Sequence, residues 1–218
     1  VWGGWRDQRT AAFLDDVAVR HITPSLEPAS RVSGTPIRLL ENRGECFKGF
    51  DFGGKGFLMS QEEAEAMILE DCRNRDVLFT YLNGRDLNSS PHLAGDGWVI
   101  NFGTRSIEEA ASYRAPFERV RQLVKPVRDV NNRALYREKW WIYAEPRPAL
   151  TQALATIDKF LGLSAVSSFA IPVTLPTGSV MSTAIVVITD TSDATLAALT
   201  SCAHMLWVMR WGSLLGVS

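Results

Sequence analysis

A chain of 218 residues, 46% hydrophobic and 22% charged, is long enough to bury its own core, so it needs neither a metal nor a cystine framework to hold it together. Its three cysteines, Cys46, Cys72 and Cys202, are far apart and form no CxxC pair, which argues against a zinc ribbon and a secreted disulfide scaffold. They read as buried or incidental thiols of a reducing cytosol, and the net charge of −1 gives no partner class by itself.

Residues 1–40 are broken by Pro24, Pro28, Gly34 and Pro36 and read as an irregular connecting arm. The opening Val1-Trp-Gly-Gly-Trp5 has no charged segment leading into an apolar core, so no signal peptide is expected. A start at Val1 instead of Met suggests a piece of a longer protein. Over 46–59 short apolar runs alternate with Gly49, Gly53, Gly54 and Gly56, which predicts a hairpin with tight turns. Ser60 followed by Glu63 is a capping box, and Ala64, Met67 and Ile68 carry helical spacing to about Glu70.

A second short helix is predicted over 74–82, ended by Asn83-Gly84, and then a strand over 98–102. Ser106 with Glu109 repeats the capping box, and Pro116 and Pro126 each restart a helix. A short helix follows Pro148 to about Ile157, then three strands over 160–166, 169–175 and 180–189. Asp193 is expected to cap a terminal helix. The apolar stretch over 194–217 is interrupted by His204 and Arg210, so it reads as a buried amphipathic helix and not as a membrane span. His204 in that run reads as a packed helix residue. The pattern is α+β, with short helices and an antiparallel or mixed sheet.

Charge is unevenly distributed. Between Arg114 and Arg147 nine basic residues face four acids, a local balance of +5 that leaves −6 for the remainder. Such asymmetry in a near-neutral chain points to an anionic partner. Arg133 and Arg137 have the spacing of one helix face, and Lys139, Trp140, Trp141 and Tyr143 interleave cation and aromatic. That mixture suits phosphate contact with stacking, although the aromatics alone read more simply as core.

No catalytic signature is present. The sequence has no glycine-rich phosphate loop, no Gly-x-Ser-x-Gly and no His-Glu-x-x-His, and it lacks the Asn-Pro-Pro-Tyr type of motif used on adenine. Glu138-Lys139 has the wrong spacing for a metal-dependent nuclease.

The chain resembles the MmeI-like restriction-modification proteins. The resemblance is carried by Asn42-Arg-Gly44, Cys46-Phe47, Gly49, Gly56-Phe57, Glu62-Glu63-Ala64 and Asp71-Cys-Arg-Asn74. It continues through Tyr81-Leu-Asn-Gly-Arg-Asp-Leu-Asn88, Trp98-Val-Ile-Asn-Phe102, Val124-Lys-Pro126, Arg128, Trp140-Trp141 and Arg147-Pro148, over roughly residues 37–188. In that family one polypeptide joins a nuclease, an adenine-N6 methyltransferase using S-adenosylmethionine, and a target-recognition region. The likeness is to the last.

The resemblance implies an arm over 1–40 leading from a methyltransferase domain, and a DNA target-recognition domain over 41–218 in a cytoplasmic enzyme. It implies double-stranded DNA and the methyltransferase domain of the same polypeptide as partners, no membrane, and no cofactor in this chain, S-adenosylmethionine belonging to the parent. Lys125, Arg128, Lys139 and Arg147 would position DNA through phosphates. Asn132, Arg133, Arg137 and the strand-loop residues Ser164, Ser167 and Ser168 would reach base edges. Where relatives place an arginine, this chain has Ala165, and the loop after it is less charged than usual. The alternative is a structural or protein-interaction module that couples nuclease and methyltransferase, with the basic face meeting acidic protein.

Overall fold

The structure is a computed structural model that describes residues 12–19, 37, 39–40, 42–90, 95, 97–167 and 169–212. Most of the expected arm over 1–40 lies outside the described residues. Its described part is not irregular: β1 (Ala12–Leu14) and β2 (Val17–Val19) pair as an antiparallel ribbon. Asp15 and Asp16 turn it with φ of 49° and 64°, the doubly left-handed reversal that matches strand twist in a two-residue hairpin.

From β3 (Cys46–Lys48) the chain passes through a single 3-10 turn to β4 (Leu58–Ser60). These two strands do not form the hairpin expected over 46–59. They join different sheets. Ser60 caps α1 (Gln61–Glu70) with the full reciprocal box: its hydroxyl accepts from the Glu63 amide, and the Glu63 carboxylate accepts from the Ser60 amide.

The expected helix over 74–82 is replaced by a 3-10 turn and β5 (Leu78–Leu82). Leu78-Phe-Thr-Tyr-Leu82 is β-branched and aromatic in composition, and both its flanks are paired, so tertiary pairing decides. Asn83 does not end a helix. It caps α2 (Gly84–Ser89), its side chain accepting from the Arg85 and Asp86 amides.

β6 (Gly97–Ile100) follows, then α3 (Ile107–Ala111), opened by the Ser106–Glu109 box. The prolines restart helices as expected in α4 (Arg114–Leu123) and α5 (Lys125–Asp129); α6 (Ala134–Glu138) is a single turn and a half, and α7 (Pro148–Leu154) begins at its proline. β7 (Lys159–Ser164) and β8 (Val173–Pro176) are shorter than predicted; β8 starts only at Val173, where its pairing with β7 begins opposite Gly162.

The single strand expected over 180–189 is two strands. β9 (Val180–Met181) pairs parallel with β5, and β10 (Ile185–Ile188) lies between β3 and β7. Ser182–Ala184 moves the chain from one sheet to the other, held by Ile185 N–H donating to the Ser182 carbonyl at 3.0 Å. The result is one antiparallel sheet ordered β3-β10-β7-β8 and one mixed sheet ordered β4-β6-β5-β9. Gly49 sits at the seam, where a Cβ would lie 2.0 Å from the Ser182 carbonyl oxygen, so no side chain fits.

Phe57, Val99, Ile100, Val120, Leu150, Phe160, Ile185 and Val187 are fully buried between the sheets and the helices. The terminal helix is broken in two, α8 (Asp193–Thr200) and α9 (Cys202–Trp211), with Ser192 and not Asp193 as the cap. Ser201 makes the break: its hydroxyl donates to Ala198 O and accepts from His204 N, ending one helix and starting the next. Neither helix carries a buried residue, contrary to the buried helix expected there. His204 does pack as a helix residue, its ring stacked on Trp207. Cys46, Cys72 and Cys202 are exposed, not buried. Among the described residues no helix is long and apolar enough to cross a membrane.

Candidate nucleic-acid interface

The basic stretch from Arg114 to Arg147 is held by aromatics at its two ends. α4 buries Val120 and turns Phe117 toward Phe102 and Trp140, with ring centroids 6.2 and 5.2 Å away. After α6 the chain dives inward. Trp140, Trp141 and Tyr143 are buried, so the core reading of these aromatics holds. The Trp141 indole donates to Arg105 O at 3.0 Å, and the Tyr143 phenol donates to Ile100 O at 2.8 Å. Complete burial pushes the Tyr143 phenol well above its ordinary value, because the charged form would lose its solvation. Between these anchors α6, which buries nothing, stands out from the core.

The nine cations of the stretch are not equivalent. Arg128, expected to contact phosphate, is only 2% exposed and takes no part in the surface. Its Nη1 donates to the carbonyls of Lys139, Trp140 and Ile142 at 3.4, 3.2 and 2.5 Å, and its Nη2 to Phe52 O at 2.6 Å. Burial pulls this guanidinium below its usual value, since four carbonyl dipoles replace water without a paired carboxylate. Arg128 therefore ties the α6 return to the 52–57 segment instead of facing a ligand.

Four more cations are held by acids. Arg119 meets Glu63 at 2.8 Å, Arg121 meets Glu118 at 2.8 Å, Lys125 meets Asp129 at 2.6 Å, and Arg147 pairs with Glu145. Arg147 also sits in left-handed backbone, φ 46°, just before Pro148, a conformation that only a tightly held turn sustains. Among the described residues Arg114, Arg133, Arg137 and Lys139 make no ion pair, and all are exposed.

Arg133, Arg137 and Lys139 lie together on α6 and its ends. Asn131 organises the turn: its side-chain oxygen accepts from Arg133 N at 2.9 Å, and its carbonyl accepts from the Arg137 guanidinium. Asn131 is half-buried, and Asn132 beside it is exposed.

The second expected group is at the Ser164 end of β7. Ser164 is engaged internally, its hydroxyl donating to Val166 O at 2.9 Å and accepting from Asn88 Nδ2 at 3.3 Å. Ser167 accepts from the Phe169 amide at 3.3 Å, and Ser168 lies outside the described residues. Besides Ser167, which is exposed, this loop also presents the apolar side chains of Val166, Phe169 and Ile171 to solvent.

The two groups lie on different elements, α6 with its ends and the end of β7. They are linked through the 50–51 segment, where Asp51 bridges to Glu145 and Phe50 to Ser182. From there Ala184 and Ser164 pack on Gly84 of α2. A cleft of about 260 Å³ runs along this seam, lined by Asp51, Lys55, Tyr81, Ser182 and Thr183 among others. Burial raises the Tyr81 phenol, partly offset by its hydrogen bond to Ser182. Lys55 and Asn88 carry no signal in the sequence that marks them for this region. Asn88 fastens the loop by donating to Val166 O at 3.0 Å, and only recognition of Asn83 as a helix cap would have placed Asn88 beside it. Among the described residues no cluster of His, Cys, Asp and Glu is placed to hold a metal ion.

No protein-family model matches the chain, and no curated protein does. Among solved structures, the chain is similar to the type IIL restriction-modification enzyme MmeI, determined in complex with DNA, at 16% identity and a TM-score of 0.66. The match covers 91% of this chain and 26% of that one, so the chain spans about a quarter of its neighbour's length. At that identity the likeness establishes a related fold.

Proposed function

We propose that the chain is a DNA target-recognition domain of a restriction-modification enzyme that methylates adenine N6. On this reading residues 41–218 form the recognition domain, 1–40 lead to a methyltransferase domain of the same polypeptide, and S-adenosylmethionine belongs to that domain. The observation that carries the proposal is the group of exposed cations without carboxylate partners among the described residues, Arg133, Arg137 and Lys139, on a fold related to that of a protein solved on DNA. Lys139 would meet phosphate as a point charge, while Arg133 and Arg137 would present planar forks suited to a guanine edge. Ion pairing of Lys125 and Arg147 leaves them a weaker share, and Arg128 has none.

A second reading is favoured by one observation. Val127, Val130 and Leu135 are 64%, 83% and 55% exposed beside the same cations, an apolar interleaving that suits a protein partner as well. The test is to replace Arg133 or Arg137 by Ala in the full-length enzyme and sequence the adenines it methylates. An altered target motif is expected from a base contact. An unchanged motif at a reduced rate for both variants would contradict base readout and favour the coupling module.

A further inference from the structure

We infer that Tyr136 is a positioning residue that holds the Arg133 guanidinium in place before nucleic acid arrives, a role that rests on the DNA-recognition reading above. Tyr136 follows Arg133 by three residues at the start of α6, and its phenol oxygen accepts from Arg133 Nη1 at 3.1 Å. The Arg133 guanidinium carbon also lies 5.4 Å from the centre of the Tyr136 ring, and that of Arg128 lies over the same ring at 5.3 Å. Arg128 is immobilised by four backbone carbonyls, so one side of this arrangement is part of the core. Tyr136 is half-buried, whereas Arg133 is exposed. The ring therefore carries the rigidity of the buried arginine out to the surface one.

The physical gain is in entropy. A free arginine side chain gives up rotamer freedom when it is fixed on a partner, and one already held by a hydrogen bond and a ring face gives up less. The ring also makes the geometry tolerable. Two guanidinium groups near one tyrosine repel each other, and the negative ring face offsets that repulsion. Only one Arg133 nitrogen is engaged with Tyr136, so the other N–H groups of the fork remain for a phosphate or a guanine edge. Among the described residues Lys139 has no comparable support, and Arg137 is held by the Asn131 carbonyl alone.

The test uses Tyr136→Phe and Tyr136→Leu in the whole chain, read by nitrogen relaxation of the Arg133 side chain without DNA and by affinity for duplex DNA. An ordered Arg133 side chain is expected in the unmodified chain, partly ordered in Tyr136→Phe and mobile in Tyr136→Leu. Duplex affinity should fall about twofold and about fivefold, respectively, the range that a surface cation–ring contact supports. Combining Tyr136→Leu with Arg133→Ala should cost no more affinity than Arg133→Ala alone, because both remove one device. An Arg133 side chain as ordered in Tyr136→Leu as in the parent, or additive losses in the double variant, would overturn the inference. If the unmodified chain binds no DNA, the recognition reading fails instead, and the relaxation measurement still decides whether Tyr136 orders Arg133.

Discussion

Arg128 and Arg133 lie over the same tyrosine ring, yet one is sealed beneath four carbonyls and the other stands in solvent. In the sequence they are two members of one basic run. In the fold Arg128 sits on α5 where the chain returns from α6 to the core, and Arg133 sits where the turn at Asn131 lifts it away. Density of positive charge along a sequence thus says little about charge on a surface. Of nine basic residues between Arg114 and Arg147, four pair with acids and one is buried, which reduces the apparent +5 to a compact group on α6 with Arg114 apart from it.

That contrast can be broken most forcefully at Arg128. Replacing it by Ala would strip charge-assisted bonds from four carbonyls, two of them buried and two part-buried, so a loss of about 5 kcal/mol is expected in urea unfolding. Arg128→Lys should recover little, because a single ammonium on a flexible stem cannot reproduce the fork. A stable Arg128→Ala chain would mean that the carbonyls find water and that Arg128 is no anchor.

Trp140→Ala is next, at about 3–5 kcal/mol, since the indole fills the space between Phe117 and Trp141. The same substitution is expected to lower DNA affinity only through the folded fraction. A well-folded variant with impaired binding would move Trp140 from the core to the contact surface.

A smaller effect sharpens the difference between a structural and a surface cation. The Ser60 amide, and then Arg119, hold the Glu63 carboxyl below its ordinary range. Because the folded value is depressed, the stabilisation is present above the unfolded value and disappears as pH falls through the folded one. The pair is partly exposed, so Glu63→Gln should cost only about 0.5–1 kcal/mol at neutral pH. The variant should match the parent once the carboxylate is protonated. A difference that persists unchanged into acid would show that Glu63 acts through packing and not through charge.

The parts of this fold legible in the sequence are those fixed by local chemistry. The boxes at Ser60 and Ser106 and the prolines at 116, 126 and 148 are satisfied within a few residues, and each element they announce is present. The failures are long-range. Nothing local reveals that Leu78–Leu82 lies between two strands, or that Ser182–Ala184 carries one apolar run from one sheet to another. For the site, the aromatics of 140–143 were legible as core, because hydrophobic area dominates their placement. The burial of Arg128 was not, since its partners are backbone carbonyls that any residue carries. The serines around 164–168 read as polar contacts, but Ser164 is engaged by Asn88, a partner far away in sequence.

The most direct measurement is the affinity of the chain for duplex DNA, by fluorescence anisotropy at ~50 and ~200 mM salt, for the parent and for the triple variant Arg133→Ala, Arg137→Ala, Lys139→Ala. All three residues are exposed and, among the described residues, unpaired with acids, so the triple variant should unfold within about 0.5 kcal/mol per site of the parent. The parent should bind and weaken steeply with salt. The triple variant should bind far less and show a salt slope lower by about one for each phosphate that is no longer neutralised. Parent binding indifferent to salt, or a triple variant that binds as tightly as the parent, would contradict a DNA-facing role for α6.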